Sequence, residues 1–146
     1  MAKIAVSACL LGHCCKYNGG HNRNQAVLDF LEGCAGEALP VCPETAGGLP
    51  RPRPPAEIQP DGRVADNTGR DVTSAFEAGA EEEFRRVEQA GCTLAILKAK
   101  SPSCGVGQVY NGSFTGTLKQ GDGVFAAKLR RAGVKLLTEK DLSKQE

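Results

Sequence analysis

Four short apolar runs punctuate the chain, at Lys3–Ser7, Ala38–Val41, Thr93–Lys98 and Val134–Leu137. None alternates apolar with polar residues, so each predicts a strand covered on both faces, as in a parallel sheet. Between these runs the apolar period lengthens to that of a helix. Val27, Leu28 and Leu31 share one helical face behind a capping Asn24, with Gly33 beyond the end. Val72, Phe76, Ala80, Phe84 and Val87 form a longer stripe, with Asp71 as the expected cap and Gly91 as the stop. A third helix is expected over Val124–Arg131, ended by Gly133. Strands alternating with helices predict an α/β fold: a compact three-layer domain around a mainly parallel sheet with right-handed crossovers.

Two segments break the alternation. Val109-Tyr110-Asn111-Gly112-Ser113-Phe114 places an Asn-Gly step between strand formers, which predicts a short β-hairpin. The stretch from Gly47 to Gly69 holds Pro50, Pro52, Pro54, Pro55 and Pro60 with little periodicity, and reads as a long loop. No repeat or linker divides the chain, so residues 1–146 are expected to form one domain.

Composition narrows the setting. The chain has 146 residues, 40% hydrophobic and 24% charged, a balance that supports a globular core. A net charge of +1 gives no general electrostatic case for nucleic acid or a membrane surface. No apolar run approaches the roughly 20 residues that span a bilayer. The first apolar run lacks a signal-peptide core and cleavage site, so a cytoplasmic protein is expected. Seven cysteines are many for this length, and an odd number. In a reducing compartment they are poor candidates for disulfides and better ones for metal binding or catalysis.

Three of these cysteines share one topological position. Cys9 follows the first predicted strand, Cys42 the second, and Cys104 lies shortly after the third. In an open parallel sheet the carboxyl ends of the strands lie along one edge, where ligands bind. Thiols far apart in sequence would converge there; otherwise they are small buried hydrophobes near strand ends. Zinc sites usually show Cys-x-x-Cys pairs, and none is present. A cubane cluster normally takes four cysteines, so three would leave one iron open to a soft sulfur ligand. Cys14 and Cys15 are adjacent, and both can hardly reach one site. Cys15 reads as packing, with a pocket position as the alternative, and Cys34 and Cys92 read as core.

Other candidates cluster around these thiols in sequence. Glu44 sits two residues after Cys42 and is suited to acid or base work. Ser101 and Ser103 flank Pro102 just before Cys104; such serines are often turn formers, but one is expected to face substrate, Ser101 ahead of Ser103. Arg53 in the proline-rich loop and Lys98 after the third strand could bind a phosphate or polarise a pyrimidine oxygen. The plainer expectation for Arg53 is an ion pair with Glu57 or Asp61. Arg51 and Lys100 read as solvated charges, and His13 and His21 as polar surface residues.

Ser7-Ala8-Cys9-Leu10-Leu11-Gly12 with Cys15-Lys16-Tyr17-Asn18-Gly19 resembles the opening signature of the thiouracil desulfidase family. There the second part usually reads Cys-Arg-Tyr-Asp-Gly, so Lys16 and Asn18 are departures, as is the extra Cys14. Val41-Cys42-Pro43-Glu44 with Gly47-Gly48-Leu49-Pro50 and Pro52-Arg53 is similar to a second block. Gly69-Arg70-Asp71-Val72-Thr73, Ile96-Leu97-Lys98 and Ser101-Pro102-Ser103-Cys104-Gly105 complete it. The resemblance runs from about Lys3 to Leu137.

The resemblance implies a [4Fe-4S] cluster held by Cys9, Cys42 and Cys104, with catalytic roles for Glu44 and Ser101, or Ser103 in its place. It implies removal of sulfur from a thionated pyrimidine, without net redox change, to give the oxo base and sulfide. A free base, nucleoside, nucleotide or thiolated RNA all remain open as the substrate. The rival expectations are an iron–sulfur or metal carrier that performs no pyrimidine chemistry, and an α/β binding module whose thiols only pack.

Overall fold

A computed structural model of the chain describes residues 3–143 apart from 15, 35 and 51. In chain order the elements are β1 (Lys3–Ser7), α1 (Gln25–Gly33), β2 (Glu37–Val41), α2 (Pro43–Ala46), β3 (Ala56–Ile58) and β4 (Val64–Asp66). They continue with α3 (Thr73–Ala90), β5 (Leu94–Leu97), β6 (Gln108–Tyr110), β7 (Leu118–Gln120), α4 (Val124–Arg131), β8 (Lys135–Thr138) and α5 (Glu139–Ser143). A 3-10 turn over Ala8–Leu11 follows β1 directly.

The four apolar runs form one parallel sheet in the order β2-β1-β5-β8. Central strands bury both faces, which is why they carry no alternation. Ala5, Ala95 and Leu97 pack with Ala80, Val87, Phe125 and Leu129 of α3 and α4. Ile4, Val6 and Ile96 pack on the other face with Val27 and Leu31 of α1 and Leu142 of α5. The result is the expected three-layer α/β domain. Each fully buried Val, Leu or Phe adds about 1.5–3 kcal/mol of hydrophobic stabilisation.

The strand order sets the site. After β1 the chain crosses to β2 on one side, then returns past β1 to β5 on the other, so the order reverses between β1 and β5. Right-handed crossovers then force α1 and α3 onto opposite faces. The loops after β1 and β5 diverge at that reversal and leave a crevice at the carboxyl edge of the sheet.

Several local expectations are corrected. Asn24 does cap α1, accepting the Val27 N–H, but Gly33 lies within the helix and Cys34 is the C-cap. That leaves Cys34 exposed rather than in the core, whereas Cys92 is buried. Asp71 lies one residue before the cap of α3, Val72, and accepts the Thr73 N–H in a local turn. The proline-rich stretch contains a two-stranded ribbon, β3 with β4, where an irregular loop was expected. The second hairpin exists, but its Asn-Gly step is not a two-residue turn. Tyr110 pairs with Leu118, so residues 111–117 form a longer loop. The Glu57 carboxylate accepts the N–H groups of Gly112 and Phe114, which diverts that backbone from the ladder.

Candidate active site at the carboxyl edge of the sheet

Three short connections build the site. The 3-10 turn after β1 carries Cys9, buried at the turn's second position. Cys42 is the N-cap of α2, immediately after β2, and Glu44 lies in that helix's first turn. Here the backbones of α2 and α3 touch: a Cβ on Gly79 would lie 1.7 Å from the Pro43 carbonyl oxygen. Only glycine permits this approach, which draws the Cys42–Glu44 turn against α3. Cys104 follows β5 in a loop tied to the start of α4. The N–H groups of Val124 and Phe125 donate to the carbonyls of Pro102 and Ser103, satisfying donors that a helix start otherwise leaves unpaired.

These connections enclose a cavity of about 640 Å³, within the usual range for small-ligand sites. Cys9, Cys42 and Cys104 line it together, as do Glu44, Ser101 and Ser103, and Arg53 and Lys98. Cys15 and Arg51 lie outside the described residues.

Glu44 is the hub of the polar network. One carboxylate oxygen, Oε1, accepts Nε and Nη2 of Arg53 at 3.3 and 3.2 Å. The other, Oε2, accepts the Ser103 hydroxyl at 3.1 Å. Ser103 Oγ lies 3.0 Å from Ser101 Oγ, and Ser101 Oγ accepts the N–H groups of Ser103 and Cys104 at 3.1 Å each. Ser103 is 1% exposed while Ser101 and Glu44 are both half-buried, so the row Ser101–Ser103–Glu44 has a buried middle between two partly open ends.

Arg53 itself is buried, and Nη1 also bonds the Pro50 carbonyl. It therefore pairs with Glu44, not with Glu57 or Asp61, the partners expected from sequence; Asp61 pairs with Arg63. Lys98 Nζ is 3.0 Å from Glu139 Oε2, and Glu139 Oε1 accepts the Ala99 N–H. Neither cation stands as an uncommitted charge for a phosphate.

The sulfurs are held by their own neighbours. Asn22 Nδ2 donates to Cys9 Sγ at 3.4 Å, and Cys42 Sγ lies 3.1 Å from Thr45 Oγ1. Burial pushes the Cys104 thiol up to about 12; the hydroxyls of Ser7 and Ser103 pull it back, while nearby Cys9 and Glu44 add to the rise. Behind Cys42, the buried Glu83 accepts the Cys42 N–H at 2.8 Å. Arg86 bonds both oxygens of Glu83 and the Pro40 carbonyl, which closes a clamp around the end of β2.

Asn22, Glu83 and Glu139 are not among the residues expected from sequence, and Glu57 is expected only as a partner of Arg53. Glu83 had a signal: it interrupts the core register of Phe76, Ala80 and Val87 with a charge. Asn22 and Glu139 had none, since only the tertiary fold brings them to the cavity.

A family profile described as 2-thiouracil desulfurase matches residues 4–141. The chain belongs to that family. It is 36% identical to the Bacillus subtilis (strain 168) protein YbbK over 149 residues, covering 96% of this chain and 97% of that one. Among solved structures, it is similar to the [4Fe-4S]-dependent thiouracil desulfidase TudS. That match is 44% identical with a TM-score of 0.89, covering 99% of this chain and 95% of the other.

Proposed function

We propose that this chain is a thiouracil desulfidase that converts a thionated pyrimidine and water into the oxo pyrimidine and hydrogen sulfide. The observation that carries this reading is the meeting of three thiols, from three separate connections, with the Glu44–Ser103–Ser101 row in one cavity.

The donor set suits an iron–sulfur cluster. Three soft sulfur donors line one cavity, and soft thiolates are the usual ligands of iron–sulfur clusters. Cys9, Cys42 and Cys104 would hold a [4Fe-4S] cluster. When bound, it supplies a soft Lewis acid for the thiocarbonyl sulfur, through the iron that lacks a protein thiolate. A thiol buried as Cys104 is must give up its proton to become a ligand, so cluster binding releases protons.

The chain's own residues handle water and protons. Ser101 Oγ accepts two N–H groups and faces Ser103 Oγ, so it takes up a proton only as one of those N–H bonds is released and passes its own proton to Ser103. A water at the Ser101 end of the row gives its proton to Ser101, Ser101 to Ser103, and Ser103 to Glu44, as the water oxygen bonds to the thiocarbonyl carbon. The proton on Glu44 then returns along the row to the sulfur, the carbon–sulfur bond breaks as the hydroxyl on carbon becomes the oxo group, and the proton that hydroxyl releases leaves with HS⁻ as hydrogen sulfide. Arg53 orients Glu44 and stabilises its carboxylate. Arg53 and Lys98 act on substrate through the groups they hold rather than by gripping a phosphate.

Anaerobic reconstitution with iron and sulfide, followed by incubation with 2-thiouracil or 4-thiouracil, tests the reading. Uracil and sulfide should appear in equal amounts, with iron retained. A reconstituted protein that holds a cluster but releases no sulfide from any thiopyrimidine would overturn it.

A further inference from the structure

Tyr17 and Phe114 are the large hydrophobic residues exposed among the described residues, at 44% and 37%. Both line the cavity that holds the cysteines. Scattered exposed apolar side chains need no explanation, but two exposed aromatics on the cavity that holds three cysteines do.

Phe114 is held there against its own backbone preference. Its φ is 57°, the left-handed region that an aromatic residue rarely adopts. Glu57, buried on the neighbouring ribbon, accepts the N–H groups of Gly112 and Phe114 at 2.9 and 3.1 Å. Gly112 also has a positive φ, and a Cβ there would meet the Ile58 carbonyl oxygen at 2.9 Å, so the loop sits tightly on that ribbon. A strained residue fixed by a buried charge points to a placed side chain. Tyr17 comes from the segment between β1 and α1, and its carbonyl accepts the Arg53 N–H. The segment carrying Tyr17 is therefore tied to the segment that supplies the partner of Glu44.

We propose that Tyr17 and Phe114 are the aromatic walls that bind the planar pyrimidine ring, with Glu57 as the positioning residue for Phe114. This rests on the desulfidase reading and adds the residues that select a flat heteroaromatic substrate. Rings of this kind are recognised by stacking on aromatic faces, which tolerates different ring substituents. The walls thus account for binding of the base, while the Glu44 row accounts for chemistry on it.

The decisive variant is Phe114→Gly. Glycine adopts the positive φ freely, so the loop should persist and thermal stability hold or rise, while the ring is lost. The reconstituted protein should bind uracil, measured by anaerobic equilibrium dialysis, roughly 5- to 100-fold more weakly. KM for 2-thiouracil should rise in step, with kcat changing far less. Tyr17→Leu should behave alike, and Phe114→Tyr and Tyr17→Phe should restore binding. Glu57→Ala should weaken binding with both rings present, and Glu57→Gln, which keeps an acceptor oxygen, should rescue much of it. Unchanged uracil affinity and KM in Phe114→Gly and Tyr17→Leu, with wild type active, would overturn the walls and leave the desulfidase reading standing. A wild-type protein that neither binds uracil nor consumes 2-thiouracil would remove both.

Discussion

Ser103 Oγ donates to Glu44 Oε2 at 3.1 Å across 59 positions of sequence. The other Glu44 oxygen is occupied by Arg53, so the carboxylate is oriented from two sides before any substrate arrives. Preorganised groups of this kind do not have to reorient as the reaction proceeds.

In the proposed proton row the inner serine is the link and the outer serine the entry. Glu44→Gln should keep iron content but slow turnover by ~10²–10⁴-fold. Ser103→Ala separates Ser101 from Glu44 and should cost at least as much kcat as Ser101→Ala. Sulfide release by the three reconstituted variants decides this, and a fully active Ser103→Ala protein would discard the row.

Arg53→Met should lower stability as well as activity. Breaking a buried pair from one side costs about 3–5 kcal/mol, and somewhat less here because Glu44 keeps 18% of its side chain exposed. Urea denaturation of the wild-type and variant proteins measures the loss. No loss would mean that solvent replaces the guanidinium at no cost.

Glu83→Ala removes the acceptor of the Cys42 N–H, leaving the clamp of Arg86 and Pro40 open. A buried donor left unsatisfied costs about 1–3 kcal/mol. Alkylation of Cys42 in the cluster-free protein should quicken and reconstituted iron content fall, with Glu83→Gln, which keeps an acceptor, restoring most of both. Unaltered alkylation and iron in Glu83→Ala would show that the strand end holds its shape alone.

Cys34→Ala and Cys92→Ala should both leave iron content unchanged, since neither lines the cavity. They should differ in stability. Cys34 is exposed and its loss nearly neutral, whereas Cys92 packs in the core beneath β5 and its loss leaves a small void of about 1 kcal/mol. Iron loss from either folded variant would count against a three-cysteine ligand set.

Hydrogen bonding and attraction from Arg130 hold the Asp122 carboxyl below its ordinary 3.8, aided by the Gly107 N–H. A lowered folded-state value means the contribution is present above the unfolded value and lost as pH falls through the folded one. Asp122→Asn should therefore be less stable than wild type at pH 7, with the gap closing below the ordinary carboxylate range. Paired denaturation curves at neutral and acid pH check it, and a constant gap would assign the effect to the shape of the loop instead.

Much of the architecture was legible from local pattern. Strands without alternation meant a sheet covered on both faces, because residues such as Ala5, Val6 and Ile96 must each meet an apolar layer whichever way they point. The positions of Cys9, Cys42 and Cys104 after successive strands marked one edge, because parallel strands all end on the same side. The hairpin expected at the Asn-Gly step is present but closes through the longer 111–117 loop, because such a step makes a tight turn only when the ladder keeps its own hydrogen bonds. Here the carboxylate of Glu57, more than fifty positions away, takes two of the loop's N–H groups.

The sequence by itself determined the four strands of the main sheet, helices α1, α3 and α4, and the edge where the thiols lie, since these follow from periodicity and from chain direction. Only the tertiary structure decided which charges meet. Arg53 faces Glu44 rather than Glu57 or Asp61, and Lys98 faces Glu139, because side-chain partners are chosen by packing across elements and not by nearness in sequence. The same is true of the buried Glu83 behind Cys42 and of the rings of Tyr17 and Phe114 on the cavity. Local pattern can place a residue on a strand end or a helix face, but a contact between distant segments exists only once the sheet order has brought their loops together.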